Sequence, residues 1–125
     1  MSVKIISVAK QLPKYVKETK EIIPFVKQWI QGQESRFQRK VLKLFEAAGV
    51  DRRYSIMDAE EVFVNSSFEK KNDIYANEVT LLAEQSLLKS LKKAGLEPVD
   101  IDFIVTVSCT GIMIPSVDAY LINNL

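Results

Sequence analysis

Two short runs of the chain are apolar at nearly every position, which is typical of strands. Residues 3–8 (VKIISV) are rich in β-branched side chains and precede the turn-like pair Leu12 and Pro13, so they predict a strand. Residues 101–107 (IDFIVTV) are almost entirely apolar, which predicts a buried strand covered on both faces. Residues 52–57 (RRYSIM) fit a further short strand or extended segment, followed by an irregular stretch through residues 65–67.

Two stretches in the first half repeat their apolar side chains every three or four positions, as amphipathic helices do. The first predicted helix begins near residue 20 with Thr19 as its cap and ends before Gly32. Its apolar stripe consists of Ile22, Ile23, Val26, Trp29 and Ile30. The second covers residues 34–48, and Gly49 is placed to end it in a left-handed conformation. Its apolar stripe consists of Phe37, Val41, Leu44, Phe45 and Ala48.

The second half predicts a long helix, the buried strand and a last helix, in that order. The long helix covers about residues 73–94 and ends at Gly95, while Gly111 and Pro115 break the strand before Pro115 and Ser116 open the last helix. This succession is typical of an α/β layer fold, in which a buried strand needs parallel neighbours on each side. Because only one strongly apolar strand is present, we expect the rest of the sheet to lie outside these 125 residues.

Composition restricts the chemistry of the chain. Its 125 residues make one domain at most, with an ordinary globular composition, no histidine and one cysteine. Without an imidazole, the chain alone holds neither a serine-histidine-acid nor a cysteine-histidine site. A single cysteine forms no internal disulfide and no zinc cluster is present, which fits a reducing cytosol. No apolar run reaches 18 residues, so neither a membrane span nor a signal peptide is predicted.

The net charge of +1 hides an uneven distribution. Residues 1–58 carry 12 basic and 6 acidic side chains, and residues 59–125 carry 5 and 10. Such an asymmetry indicates a polyanionic partner for the first half. The alternatives are solvated helix faces, or complementary charge between the two halves.

Residues 104–118 (IVTVSCTGIMIPSVD) resemble the corresponding segment of the type III polyketide synthases, the chalcone and stilbene synthase-like enzymes, particularly the bacterial ones. Residues 53–63, with RYS and EEVF, and residues 68–75 (FEKKNDIY) agree with the family in the right order. The resemblance identifies residues 1–125 as the N-terminal portion of such an enzyme. It implies an α/β, thiolase-like fold, with a mixed sheet layered between helices, that is incomplete in this chain.

The resemblance also implies an activity. Such enzymes are acyltransferases that condense acyl-CoA starters with malonyl-CoA, need no prosthetic cofactor or metal, and act as homodimers. Their cysteine nucleophile would lie just beyond Leu125, and their histidine and asparagine further on. No catalytic residue is therefore assigned, and the chain alone is expected to be inactive. Neither nucleic acid nor a membrane is an expected partner.

Three residues of the 104–118 segment match family positions around the substrate. Cys109 and Thr110 match the wall of the acyl or starter pocket, and Ile114 matches a residue, commonly methionine, that crosses the dimer interface into the partner's cavity. Cys109 is not expected to be the nucleophile, because no histidine is available to form its thiolate. The alternatives are structural: Cys109 as a small buried side chain, Thr110 in a turn, and Ile114 in an ordinary core.

The second predicted helix offers a site for coenzyme A. With the RRY motif as anchor, Lys40 and Lys43 fall where the family has cations that contact coenzyme A, whereas a third family cation falls on Ala47. Lysines on one helix face suit the diphosphate and 3′-phosphate of that ligand. The alternative is a solvated helix face.

Two other functions compete with this one. Another thiolase-fold condensing enzyme, such as a ketoacyl-acyl carrier protein synthase or a hydroxymethylglutaryl-CoA synthase, would share the fold. A non-catalytic module that binds nucleic acid is supported by six cations: Arg36, Arg39, Lys40, Lys43, Arg52 and Arg53. That module lacks base-stacking aromatic residues and a recognisable motif, and the pI is only about 7.8.

Overall fold

The structure is a computed structural model that describes residues 2–64 and 67–125. The chain forms two compact units: Pro13–Asn65, called the hairpin unit here, and Met1–Leu12 with Ser66–Leu125, called the long-helix unit. Among the described residues, no helix combines the length and the apolar character that a membrane crossing requires.

The hairpin unit contains two short strands and three helices. In chain order these are β1 (Tyr15–Glu18), α1 (Thr19–Trp29), α2 (Ser35–Ala47), β2 (Arg52–Ser55) and α3 (Ala59–Val62). The two strands pair antiparallel, with Tyr15 opposite Ser55 and Glu18 opposite Arg52. The strand predicted at residues 52–57 is thus present as β2, whereas β1 was not predicted.

The ends of the two longer helices show how local sequence sets their bounds. Glu18 caps α1 through a capping box in which the Glu21 side chain accepts from the Glu18 backbone N–H at 2.7 Å. Thr19 is the first residue of α1 and donates its hydroxyl proton to the Val50 carbonyl, so the predicted Thr19 cap is wrong by one position. Gly49 has a φ of 63°, which confirms the left-handed end predicted for α2.

The core of the hairpin unit lies between α1 and α2. Ile22, Val26 and Ile30 of the predicted α1 stripe are all buried. The partly buried side chains that pack against them are Val41, Leu42, Phe45 and Phe63. Leu44 was expected on the buried side of α2 but is 70% exposed, because Leu42 takes its place in the contact.

The long-helix unit contains α4 (Phe68–Ala94), a 3-10 turn (Pro98–Asp100) and α5 (Val117–Asn124). α4 begins earlier than predicted because the Ser67 hydroxyl caps it, accepting the Lys70 backbone N–H at 3.2 Å. Its end at Gly95, with φ at 68°, is as predicted. Within the stretch predicted to be irregular, residues 65 and 66 lie outside the described residues.

Neither apolar run forms a strand in the described part of the chain. Phe103 and Val107 are 82% and 92% exposed, so the prediction that residues 101–107 are buried on both faces is wrong for this chain. Residues 3–8 are instead tied to α4 by side chains: the Ser7 and Ser90 hydroxyls are 2.6 Å apart. A strand needs backbone partners, and the described residues supply only the β1–β2 ladder. The mixed sheet expected between helices is therefore not seen here.

Candidate functional site

The loop of residues 108–114 carries three of the predicted site residues, and α4 holds it through a side-chain amide. Asn72 Nδ2 donates to the Ile112 carbonyl oxygen at 2.7 Å, and the Ile112 N–H donates to Asn72 Oδ1 at 2.8 Å. One asparagine thus satisfies both backbone groups of Ile112, as a neighbouring strand would.

Tyr75 holds the same loop one helical turn further along α4. Its hydroxyl donates to Ser108 Oγ at 2.6 Å, and its ring lies directly against Gly111. A Cβ atom at Gly111 would come within 2.5 Å of Tyr75 Cε1 and closer still to Cδ1 and Cγ, so this position requires glycine. Residues three apart on a helix share a face, which is why Asn72 and Tyr75 reach one loop together.

The segment before the loop is joined to the start of α5. Thr106 Oγ1 donates to Asp118 Oδ1 at 2.9 Å. Hydrogen bonds from the Ser116 and Thr106 hydroxyls and from its own backbone N–H hold the pKa of Asp118 below its usual value of 3.8. The loop is therefore held by α4, and the segment that precedes it is held by the first turn of α5.

A cavity of about 400 Å³ lies between α4 and this loop. It is lined mainly by apolar side chains, among them Tyr75, Val79 and Ala83 of α4 and Ile112 and Met113 of the loop. Pockets of this size and character suit small ligands with apolar parts.

The predicted pocket residues Cys109, Thr110 and Ile114 lie in the loop but do not line this cavity. Cys109 and Thr110 are exposed, and Ile114 is 94% exposed. Among the described residues, nothing covers Cys109 or Ile114 as a core would. Their roles in a substrate pocket stay predictions.

Lys40 and Lys43 lie on α2, and both are exposed. Neither forms an ion pair within residues 2–64 and 67–125. Arg36 and Arg39 are also exposed on α2, and the positions of Arg36, Lys40 and Lys43 place them along one side of that helix. Ala47, the last residue of α2, adds no charge. The helix thus carries a row of exposed cations that form no ion pair with the described residues.

Sequence reasoning missed Asn72 and Tyr75 as site residues. Both lie in the FEKKNDIY stretch that supported the family resemblance, which was the one signal that could have found them. Their partners, Ile112 and Ser108, are 40 and 33 residues away, so no local pattern reveals the contacts.

Comparison with known proteins gives the chain its family. No family model matches it. It is 36% identical over 85 residues to the 1,3,6,8-tetrahydroxynaphthalene synthase of Streptomyces griseus, covering 68% of this chain and 23% of that protein. It is 32% identical over 76 residues to the phloroglucinol synthase of Pseudomonas fluorescens, covering 61% of this chain and 22% of that protein.

The crystal structure of a bacterial type III polyketide synthase, the 1,3,6,8-tetrahydroxynaphthalene synthase of Streptomyces coelicolor, superimposes with a TM-score of 0.82 and 28% identity. The superposition covers 94% of this chain and 34% of that one. The chain belongs to the type III polyketide synthase family. A fungal type III polyketide synthase agrees, with a TM-score of 0.78 and 25% identity over 96% of this chain and 32% of that one. The thiolase-like fold that the resemblance implied is thus confirmed.

This type III polyketide synthase chain spans less than a quarter of the curated relatives and about a third of the solved structures that it matches. A polyketide synthase of the brown alga Ectocarpus siliculosus, 20% identical with a TM-score of 0.77 over 97% of this chain and 35% of that one, supports the fold alone. The matches do not favour the alternatives of another condensing enzyme or a nucleic-acid-binding module.

Proposed function

We propose that the protein to which this chain belongs is an acyltransferase that condenses acyl-CoA starters with malonyl-CoA, as a cytoplasmic homodimer without a prosthetic cofactor. The observation that carries this proposal is the superposition of 94% of the chain on a bacterial type III polyketide synthase with a TM-score of 0.82. In this proposal the hairpin unit and the long-helix unit each contribute a surface that binds part of the substrate. The chain has no histidine, so the catalytic histidine implied by the family lies outside it, and we expect the chain alone to be inactive.

The row of cations on α2 supports binding of coenzyme A at Lys40 and Lys43. The diphosphate and 3′-phosphate of coenzyme A are anions, and a lysine ammonium acts on them as a point charge. Both lysines are exposed and have no carboxylate partner in the described residues, so no intramolecular ion pair has to break before a phosphate binds. The exposed Arg36 and Arg39 extend the positive surface along the same helix.

The 108–114 loop supports a role in the acyl pocket. Thr110 has an exposed hydroxyl that can donate to or accept from a substrate, and Cys109 presents a small soft side chain beside it. Ile114, 94% exposed, is an apolar side chain that a second protomer would cover in the homodimer. In this proposal the loop shapes the cavity in which the acyl chain lies, and the chemistry takes place on a thiolate supplied elsewhere in the protein.

The test uses the complete synthase and compares two double variants with the same change in charge. Lys40→Glu with Lys43→Glu replaces both attractive charges by repulsive ones, so KM for acyl-CoA should rise at least about tenfold while kcat changes little. Lys70→Glu with Lys71→Glu, on exposed positions of α4, is the control and should leave KM within about twofold.

A second substrate separates phosphate binding from other effects. An acyl thioester of N-acetylcysteamine has the same reacting group but no phosphate, so the Lys40 and Lys43 variant should turn it over with an unchanged KM. Raised salt should shrink the difference seen with acyl-CoA, because exposed charges are screened. An unchanged KM for acyl-CoA would remove the coenzyme A assignment, and a complete wild-type enzyme without condensing activity would remove the proposed function.

A further inference from the structure

We propose that Asn72 and Tyr75 are positioning residues that set the shape of the acyl pocket by fixing the 108–114 loop. The inference rests on the proposed function, since it takes Cys109 and Thr110 as pocket residues. It adds two residues of α4 whose contacts decide where the loop lies.

The contact with Asn72 fixes both the position and the orientation of the Ile112 backbone. Its amide donates to the Ile112 carbonyl oxygen at 2.7 Å and accepts from the Ile112 N–H at 2.8 Å. The Ile112 N–H and carbonyl belong to the two peptide planes on either side of the Ile112 Cα, so the two hydrogen bonds tie both planes to one side-chain amide. An aspartate at this position would accept from the N–H but could not donate to the carbonyl, so Asn72→Asp removes one bond and retains the other.

Tyr75 provides the second anchor, at the other end of the loop. Its hydroxyl donates to Ser108 Oγ at 2.6 Å, and its ring lies against Gly111. The two anchors therefore bracket Cys109 and Thr110. In the described part of the chain neither of these two side chains forms a hydrogen bond of its own, and both are exposed. Their positions thus depend on the anchors around them.

α4 is a suitable support for such anchors. It is a continuous helix of 27 residues, capped by Ser67 at its start and by Gly95 at its end. Leu91, near its C-terminal end, is buried. A helix fixed in this way holds Asn72 and Tyr75 at a constant spacing. The position of the helix therefore determines the position of the loop, and the loop determines the position of the pocket wall. The expected consequence is selectivity between acyl chains of different size, not a change in the chemical step.

The first measurement is backbone hydrogen exchange at Ile112 in the complete synthase. Asn72→Ala removes the acceptor of the Ile112 N–H, so exchange there should become about thirtyfold faster, as expected for the loss of two neutral hydrogen bonds. Asn72→Asp should give a smaller change because the acceptor stays. Asn77→Ala, on an exposed position of the same helix, is the matched control. In this variant the Ile112 N–H should exchange at the wild-type rate.

The second measurement is the ratio of products formed from a short and a long acyl-CoA in competition. Asn72→Ala and Tyr75→Phe should each change this ratio at least about threefold, while decarboxylation of malonyl-CoA, which needs no acyl chain in the pocket, stays within about twofold of wild type. If the two residues had a merely structural role, the variants would form less product from both the short and the long acyl-CoA, and the ratio of the two products would stay unchanged.

The conservative variants keep the proposal falsifiable if Asn72→Ala does not fold. Tyr75→Phe retains the ring against Gly111 and loses only the hydroxyl bond to Ser108. Wild-type product ratios in both Tyr75→Phe and Asn72→Asp would overturn the positioning role while the proposed function stands. A changed ratio in the Asn77→Ala control would also overturn it, because the effect would not depend on the loop contacts.

Discussion

The contact between Gly111 and Tyr75 predicts that Gly111→Ala destabilises the long-helix unit. The added Cβ would lie 2.5 Å from Tyr75 Cε1, and closer to two other ring atoms, whereas carbon atoms in packed proteins are separated by about 3.5–4.0 Å. The ring must therefore move by about 1 Å or more. Because Cγ is among the atoms approached, rotation of the ring end does not relieve the overlap.

The magnitude follows from two terms. Overpacking of this kind typically costs about 1–3 kcal/mol. Displacing the ring also breaks the bond from the Tyr75 hydroxyl to Ser108 Oγ, which adds about 1 kcal/mol. The free energy of unfolding should thus fall by about 2–4 kcal/mol. With a urea dependence of about 2 kcal/mol per molar, the midpoint should shift by about 1–2 M.

Urea unfolding followed by circular dichroism measures this shift, because α4 is the longest helix of the chain. Gly32→Ala is the matched control: no atom lies within 4 Å of its added Cβ, so its midpoint should stay near that of wild type. In a Tyr75→Ala background, Gly111→Ala should cost far less, since the ring is gone. A wild-type midpoint for Gly111→Ala, or the same cost in both backgrounds, would refute the steric argument.

Two further predictions concern the hairpin core and the Asp118 carboxylate. Ile30→Ala, at a side chain that is 2% exposed, should lower the free energy of unfolding by about 2–5 kcal/mol, whereas Leu44→Ala, 70% exposed, should change it by under about 1 kcal/mol; similar urea midpoints for both variants would contradict this. Because the pKa of Asp118 is lowered in the folded state, its ionised form stabilises the fold above pH 3.8, and that contribution is lost as pH falls below this value. Wild type should therefore lose its advantage over Asp118→Asn on acidification, as measured by thermal unfolding, and a constant difference would exclude the linkage.

The longer helices could be predicted from the sequence because their signals are local, whereas the short α3 lies in a stretch predicted to be irregular. The spacing of Ile22, Val26 and Ile30 identifies the buried side of α1, and the positive φ values of Gly49 and Gly95 mark the ends of α2 and α4. The error at the start of α1 arose because Thr19, a residue type that favours the cap position, donates its hydroxyl to the Val50 carbonyl instead, and Glu18 takes the cap position.

Of the two strands, β2 was predicted from residues 52–57 but β1 was not, because a strand depends on partners elsewhere in the chain. β1 (Tyr15–Glu18) is short and carries two charges, so it has no strong pattern, yet it forms because β2 pairs with it. Residues 101–107 have a strong pattern but no strand beside them among the described residues. An apolar run indicates that a segment requires burial. Whether it pairs as a strand depends on residues far away in the sequence.

The candidate site also combines features with a local signal in the sequence and features that depend on distant residues. Exposure of Lys40 and Lys43 on α2 agrees with a helical spacing that was visible in the sequence. The contacts of Asn72 and Tyr75 with the loop join residues 40 and 33 positions apart, which only the folded chain brings together. The cavity between α4 and the loop likewise depends on packing, and no periodicity predicts it.

The uncovered run at residues 101–107 has a consequence for how this polypeptide behaves in solution. It is β-branched and aromatic, contains no proline or glycine, and has one charge, that of Asp102. With Phe103 82%, Val105 70% and Val107 92% exposed, it has the composition and accessibility of a segment that stacks into cross-β assemblies. Whenever this run is left uncovered, the chain is expected to precipitate or form fibrils as its concentration rises, so chaperones and low expression temperature should improve recovery of soluble material.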